Sequence, residues 1–324
     1  MARKLRLEFP GAIYHVISRG NYRQDVFAAE KTKAAFEDCL FEACRKSGWV
    51  LHGFVIMSNH FHLAWATPKG NLVTGMRWLL STFSTRFNRY RNERGHVFQG
   101  RYKSLLVEAG AALGQVCHYV HLNPVRAGVL PVAELRTYRY GSYWYLWKRA
   151  SRPKFLAVTT ALREAGDLGD DRRGWQAYEK YLAWQAAEGP AGKSKAYVSL
   201  SRGWALGASE FKKALVIDHQ LAATAKAWES AGAREVREIQ WQEAVEESLR
   251  RLRIPAERIR ADRKSAAWKV AIAAHLKGTT QAGNGWLAEH LSMGKSGSVS
   301  FYVSRARREA AGSEIHQYIQ ILEH

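Results

Sequence analysis

Apolar positions in the first 130 residues switch repeatedly between a period of two and a period near 3.6. Ala12 to Ser18 (AIYHVIS) is apolar and β-branched, which predicts a strand. Lys31 to Lys46 places Ala35, Phe36, Cys39, Leu40 and Ala43 at helical spacing. Trp49 to Met57 reads as a strand, Ser58 and Asn59 as a tight connection, and His60 to Ala66 as the hairpin partner. Leu72 to Tyr90 reads as a helix that turns basic at Arg86, Arg89 and Arg91. Tyr102 to Glu108 reads as a strand and Gly114 to Leu122 as a helix. The order β-α-β-β-α-β-α predicts an α+β fold: a ferredoxin-like antiparallel sheet with helices on one face.

The pattern changes after this. Arg136 to Ser265 begins with an aromatic patch (Tyr138, Tyr140, Tyr143, Trp144, Tyr145, Trp147) and continues in Ala/Glu/Arg-rich stretches of helical spacing. Pro153, Gly166–Gly169 and Gly189–Gly192 mark connections. From Ala266 a compact helical unit is expected. Its helices are Trp268 to Leu276, Trp286 to Leu291 and Ser298 to Arg308, with a turn at Ser292 to Ser296 between the last two. Helix, glycine-containing turn and basic helix form a helix-turn-helix-like pattern, which in DNA-binding proteins places the second helix in the major groove. The reading divides the chain at 135 and 265. A catalytic-type domain (1–135) is followed by a helical connecting region (136–265) and a DNA-binding unit (266–324).

Composition narrows the partner. The chain has 49 Lys plus Arg against 29 Asp plus Glu, a formal net charge of +20. Such an excess favours a polyanion, because each cation near a phosphate releases a condensed counterion. The three cysteines (Cys39, Cys44, Cys117) form no CxxC pair, so a disulfide framework is not expected and a reducing cytoplasm is. No apolar run approaches the roughly 20 residues of a membrane span. No GxxxxGK[ST] loop occurs, so no nucleotide cofactor is expected.

Two segments carry chemistry. In NHFHL, His60 and His62 are two apart on an expected strand, so both imidazoles share one face and can hold a divalent cation. In CHYVHLNPVRAG, Tyr119 and Asn123 share a helix face if the helix reaches both. Pro124 biases Asn123 away from helical geometry, so Asn123 is either a metal ligand or the cap of a short turn.

Taken together with FQGRYKS, HYVHLNPVRAGVL and the N-terminal YHVISRGN, these motifs resemble the REP-associated tyrosine transposases, within the HUH-type single-tyrosine transposases. The resemblance covers about Phe9 to Leu130, and more loosely the tail. It implies Tyr119 as nucleophile, with His60, His62 and Asn123 around Mg²⁺ or Mn²⁺. It further implies single-stranded, hairpin-forming DNA as substrate and a monomer or homodimer as the working form. His121 has no assigned role but stands close enough to Tyr119 in sequence to assist a proton transfer. Arg19, Arg86, Arg89, Arg101, Lys103 and Arg126 are the expected DNA contacts near the site, joined by Lys295, Ser298 and Arg305 in the tail. Tyr22, Trp65, Trp78 and Tyr102 are possible base-stacking residues. The competing readings are a DNA-binding regulator without catalysis, a hydrolytic nuclease and an RNA-processing enzyme.

Overall fold

The computed structural model describes residues 7–187, 200, 204–218, 231–280, 282–306 and 312–323. They divide into two compact units, one of residues up to Lys212 and one of residues from Lys213 onward.

The first unit is built on a sheet. Its elements run β1 (Ala12–Arg19), α1 (Glu30–Ser47), β2 (Val50–Ile56), β3 (His60–Thr67), α2 (Leu72–Arg91), β4 (Lys103–Val107) and α3 (Ala111–Arg126). Helices α4 (Ser142–Trp147), α5 (Thr159–Glu164) and α6 (Arg172–Ala187) and the two-residue β5 (Ala205–Leu206) follow. The strand order is β2-β3-β1-β4-β5. The first four strands are antiparallel to their neighbours in the ferredoxin-like order. The short β5 pairs parallel to β4 and makes the sheet mixed, which the pattern reading did not anticipate. Two residues are too few to show any hydrophobic period.

The β1–β3 register decides what each face carries. Val16 pairs with Leu63, Ser18 with Phe61 and Tyr14 with Trp65, so these residues share one face. Phe61 packs 4.5 Å from Phe36 of α1, measured between ring centroids, and Phe36 lies 5.1 Å from Phe83 of α2. Phe27 and Phe98 complete this buried aromatic cluster. Trp65 is fully buried 4.2 Å from Trp49, and Gly75 of α2 makes room for that pair: a Cβ there would come within 2.1 Å of the Trp49 ring. Helices α1 and α2 therefore cover this face. In α1, Phe36, Cys39, Leu40, Ala43 and Cys44 are buried, and Gly48 ends the helix in the left-handed conformation.

Helix α3 lies on the opposite face, its Cys117 beside Gly53 of β2. It is longer than the sequence pattern suggests and passes through Pro124 to Arg126. Asn123 is therefore helical, and the reading of Asn123 as the cap of a separate turn is corrected. Proline's fixed φ suits a helix, and here only a short last turn follows it. That turn closes through Ala127 N–H to Asn123 O at 3.0 Å and Val129 N–H to Pro124 O at 2.9 Å.

Packing does not divide at residue 135. Val55 bridges Gly141, Leu51 bridges Leu156, and β5 extends the sheet. Arg139 makes a two-pronged ion pair with Glu37 of α1 at 2.9 Å on each arm. Described residues between Arg139 and Leu206 thus pack onto the sheet unit.

The second unit holds α8 (Ala231–Arg251), α9 (Arg258–Ala261), α10 (Ala267–Thr279), α11 (Asn284–His290), α12 (Ser296–Ala306) and α13 (Glu314–Glu323), while α7 (Ser209–Asp218) spans the division. Leu249, Trp268, Ile272, Leu276, Leu287, Leu291, Val299 and Val303 share its core. Lys269 is fully buried, its ammonium donating to the Ile259 and Asp262 carbonyls at 2.7 and 2.9 Å. Helices α11 and α12 meet across a short turn that contains Gly294 at φ +90°. Lys295 and Arg305 are exposed and Ser298 is half-buried. Arg307, Arg308 and Gly189–Gly192 lie outside the described residues. Among the described residues, no helix is long and apolar enough to cross a membrane.

The Glu37 carboxylate is buried, and desolvation outweighs Arg139 in raising its pKa. Removing the arginine leaves that charge without its partner. Arg139→Ala is expected to destabilise the first unit by about 2–3 kcal/mol at pH 7. The loss should shrink as pH falls and Glu37 protonates. Denaturant titration of wild type and variant at pH 7 and again at lower pH checks this.

Candidate active site

The face opposite the aromatic core carries the histidines. Arg19 pairs with His60 and Ile17 with His62, so Arg19, His60 and His62 lie on the α3 side. His15, two residues before Ile17, lies there as well. The His60 and His62 rings are 5.1 Å apart between centroids. Tyr119 of α3 sits with its ring 5.3 Å from His62 and 5.8 Å from His15, in edge-on contact with both. Asn123, one turn further along α3, is near enough to act on both side chains, lowering the Tyr119 pKa and raising that of His60. The structure therefore brings together Tyr119, His60, His62 and Asn123, from two strand positions and one helix face.

All three imidazoles on this face are held neutral. Burial lowers His15 to about 4, with the Lys103 charge acting in the same direction against the Leu200 hydrogen bond. Burial also lowers His60 to about 4; Arg19 adds to this and the Asn123 hydrogen bond opposes it. His62 is driven well below the ordinary range by burial first, then by His15, His60, Arg19 and Arg126. Near pH 7 each ring thus keeps a nitrogen lone pair, the state a metal needs.

For Tyr119, burial pushes the hydroxyl up, while Arg126, Asn123 and Arg19 pull it down. The Arg126 guanidinium lies 5.1 Å from the centre of the Tyr119 ring. Of the expected DNA contacts, Arg19, Lys103 and Arg126 thus act on this cluster. Arg101 is exposed on the loop whose Val97 and Gln99 bond to Asn21 and Arg19 at the end of β1.

Other expected residues stand elsewhere. Arg86 belongs to the opposite layer, where it bonds Cys39 and Glu42 of α1 at 3.1 and 3.3 Å. Arg89 is exposed in the last turn of the same helix. Trp65 and Tyr102 are buried, and Trp78 stacks under the Lys46 ammonium at 4.3 Å. Tyr22, which is 85% exposed, is the one of the four suggested stacking residues with a free ring face.

His121 is not available for proton transfer. It is buried, its Nδ1 2.8 Å from the Tyr178 hydroxyl and its Nε2 2.8 Å from Ser142 Oγ. His118 meets the same Tyr178 hydroxyl at 2.9 Å. These polar groups lock α3 to α6, a structural role that no local pattern signals.

Sequence reasoning also missed His15 and Asn59. His15 Nε2 lies 3.0 Å from His62 Nδ1, and His15 Nδ1 lies 2.8 Å from the Leu200 carbonyl. Asn59 Oδ1 accepts from His60 Nδ1 at 2.7 Å. The signal was present: strand alternation puts His15 and Arg19 on one face. What was missing was the register that sets that face beside His62.

The donor set fits a divalent cation. Two neutral imidazoles and an amide oxygen converge, and imidazole and amide oxygen are both metal ligands. Among the described residues no group of three or more His, Cys, Asp or Glu that could hold a metal ion is found.

Residues 9–123, about a third of the chain, match the family model described as transposase IS200-like. No curated protein matches. Among solved structures, one described as a REP-associated tyrosine transposase bound to a REP hairpin is 14% identical, with a TM-score of 0.40. That alignment covers 47% of this chain and 89% of the other.

Five buried or half-buried histidines with pKa values near 3 to 4 set the acid limit of stability: His15, His52, His60, His118 and His121. Each has a folded pKa below its unfolded value. The unfolded chain therefore binds more protons between about pH 6.5 and 4, and stability falls as pH drops through that window. Each fully buried ring contributes on the order of 3–5 kcal/mol to that loss. The melting temperature is expected to be flat from pH 8 to 7 and to fall steeply below pH 6, as followed by circular dichroism.

Proposed function

We propose, from the premise that residues 9–123 form an IS200-like transposase domain, that this protein is a metal-dependent single-strand DNA endonuclease and strand transferase. The observation that carries the reading is the meeting of Tyr119 with His60, His62 and Asn123 on one face of the sheet. Hairpin-forming, REP-like DNA is the proposed substrate class, from the sequence resemblance.

The phosphodiester presents anionic oxygens that repel an incoming nucleophile. Arg19, Arg126 and Lys103 put fixed positive charge around the place where the phosphate must lie, and a cationic setting offsets that repulsion. His60, His62 and Asn123 would hold Mg²⁺ or Mn²⁺, which when bound supplies Lewis-acid polarisation of the scissile phosphate.

The Tyr119 oxygen attacks phosphorus and the 3′-oxygen leaves. A 5′-phosphotyrosine and a free 3′-hydroxyl result. The tyrosine proton goes to solvent, and Arg126 and Asn123 lower the cost of the phenolate. A 3′-hydroxyl can then attack the phosphotyrosine, expelling Tyr119 and resealing DNA without a nucleotide cofactor.

Incubation with end-labelled single-stranded hairpins and Mn²⁺ or Mg²⁺, followed by denaturing protein electrophoresis, tests the reading. A band retaining only the label on the 3′ side of the cut is expected for wild type, and none for Tyr119→Phe. His60→Ala and His62→Ala should each lower adduct formation by at least 100-fold. Binding without adduct on a broad hairpin library would identify a DNA-binding regulator, and cleavage without adduct a hydrolase. Cutting of ribose but not deoxyribose substrates would identify an RNA-processing enzyme.

Adduct formation should rise with pH between 7 and 9, because the nucleophile must lose a proton whose pKa is above 10. It should fall as pH drops through about 4, where His60 protonates.

For the second unit, α12 is proposed to contact duplex DNA, with Lys295 and Ser298 at its start and Arg305 in its last turn. Lys295→Ala and Arg305→Ala should each weaken duplex binding and reduce the log–log salt slope by about 1. An unchanged slope would leave α11 and α12 as packing helices.

A further inference from the structure

The hydrogen bonds behind His62 form a chain with only one consistent direction. It begins at the Leu200 carbonyl, which can only accept, so His15 Nδ1 must carry the proton across their 2.8 Å contact. A neutral imidazole has one N–H, so His15 Nε2 is an acceptor. It lies 3.0 Å from His62 Nδ1, which must then be the donor. The lone pair of His62 is left on Nε2. His15 is fully buried and His62 nearly so, so water does not compete for these groups.

From this geometry we infer that His15, anchored by the backbone carbonyl of Leu200, is a positioning residue that fixes the tautomer and ring orientation of His62. It leaves His62 Nε2 as the ligating nitrogen for a divalent cation. The inference rests on the metal-dependent reading above and adds to it a role for His15, a residue of the YHVISRGN motif to which the resemblance assigned none.

His15 touches neither substrate nor reacting atoms in this account; it acts through His62. The neighbouring imidazole, His60, is treated alike by a different device, since its Nδ1–H donates to Asn59 Oδ1 at 2.7 Å. Both imidazoles are thus oriented from behind through Nδ1, one by an amide and one by a histidine relay. Leu200 lies beyond the residues matched by the transposase family model, 9–123. Further along the chain, the carbonyls of Trp204 and Leu206 accept from Leu106 and Glu108 of the sheet at 2.9 and 2.8 Å.

The test uses the full-length protein and reads the tautomer directly. In metal-free protein labelled with ¹⁵N-histidine, His62 is expected to show a protonated Nδ1 and an unprotonated Nε2 at pH 7.5. His15 is expected to show the same tautomer. Mn²⁺ affinity is then measured by titration calorimetry for wild type, His15→Phe and His15→Gln. Phenylalanine keeps a ring but cannot accept from His62, and Mn²⁺ affinity should fall about 10–100-fold. Glutamine can donate to the Leu200 carbonyl and accept from His62 Nδ1, and should recover most of that loss.

His62 protonated on Nε2 in the wild type would overturn the proposal. So would a His15→Phe protein that folds and binds Mn²⁺ as wild type does. If His15→Phe fails to fold, the wild-type spectrum and the His15→Gln affinity decide the matter. A wild type that shows the expected tautomers yet binds no Mn²⁺ would sink the metal-dependent reading while leaving the relay in place.

Discussion

The register between β1 and β3 is the constraint on which the rest depends. A slip of one residue would exchange the two faces of β3, placing His60 and His62 against Phe36 and Phe83 and turning Phe61 and Leu63 toward α3. That alternative buries imidazoles in an apolar layer and exposes two large hydrophobic side chains. The aromatic cluster of Phe27, Phe36, Phe61, Phe83 and Phe98 thus does more than stabilise the unit. By taking the odd-numbered residues of β3 inward, it delivers His60 and His62 to the other face, two residues apart.

On that other face the sheet and α3 share the work. The strands supply the imidazoles at a fixed separation, and α3 supplies Tyr119 and Asn123 at a spacing of one turn. The helix is held in place by the polar contacts of His118 and His121 with Tyr178 on α6. Its continuation through Pro124 keeps Asn123 and Arg126 on the face that Tyr119 occupies. Electrostatically the site is one-sided. Burial keeps the histidines neutral, while Arg19, Arg126 and Lys103 remain charged near them. A cluster arranged this way favours an anionic ligand, consistent with the +20 net charge of the chain.

The residues after 135 have two fates. Those up to 212 are drawn onto the sheet unit by aromatic packing, the Arg139–Glu37 pair and the β5 pairing. Those from 213 onward form a helical unit with its own core around Trp268, Ile272 and Leu291. Phe301 on α12 and Ile321 on α13 are large hydrophobic side chains that this unit leaves exposed.

Much of this was legible in the chain itself. Alternating and 3.6-residue periods fixed the kind and order of the first seven elements, because those periods follow from strand and helix geometry and from which side must be dry. The His60–His62 pair and the Tyr119–Asn123 spacing were likewise local facts, readable without knowing any neighbour. Local pattern misplaced the end of α3, since the proline rule speaks of an isolated helix while buried contacts around Leu122 and Asn123 hold this one together. It also divided the chain at 135, because the aromatic patch from Tyr138 to Trp147 shows no sign of which surface it will cover. Only the tertiary structure placed His15 behind His62 and Leu200 behind His15, removed Arg86 to the far layer and closed His121 into a buried network. Those relations join residues separated by about 50 to 185 positions. They are set by strand register and layer packing, which a one-dimensional pattern does not encode.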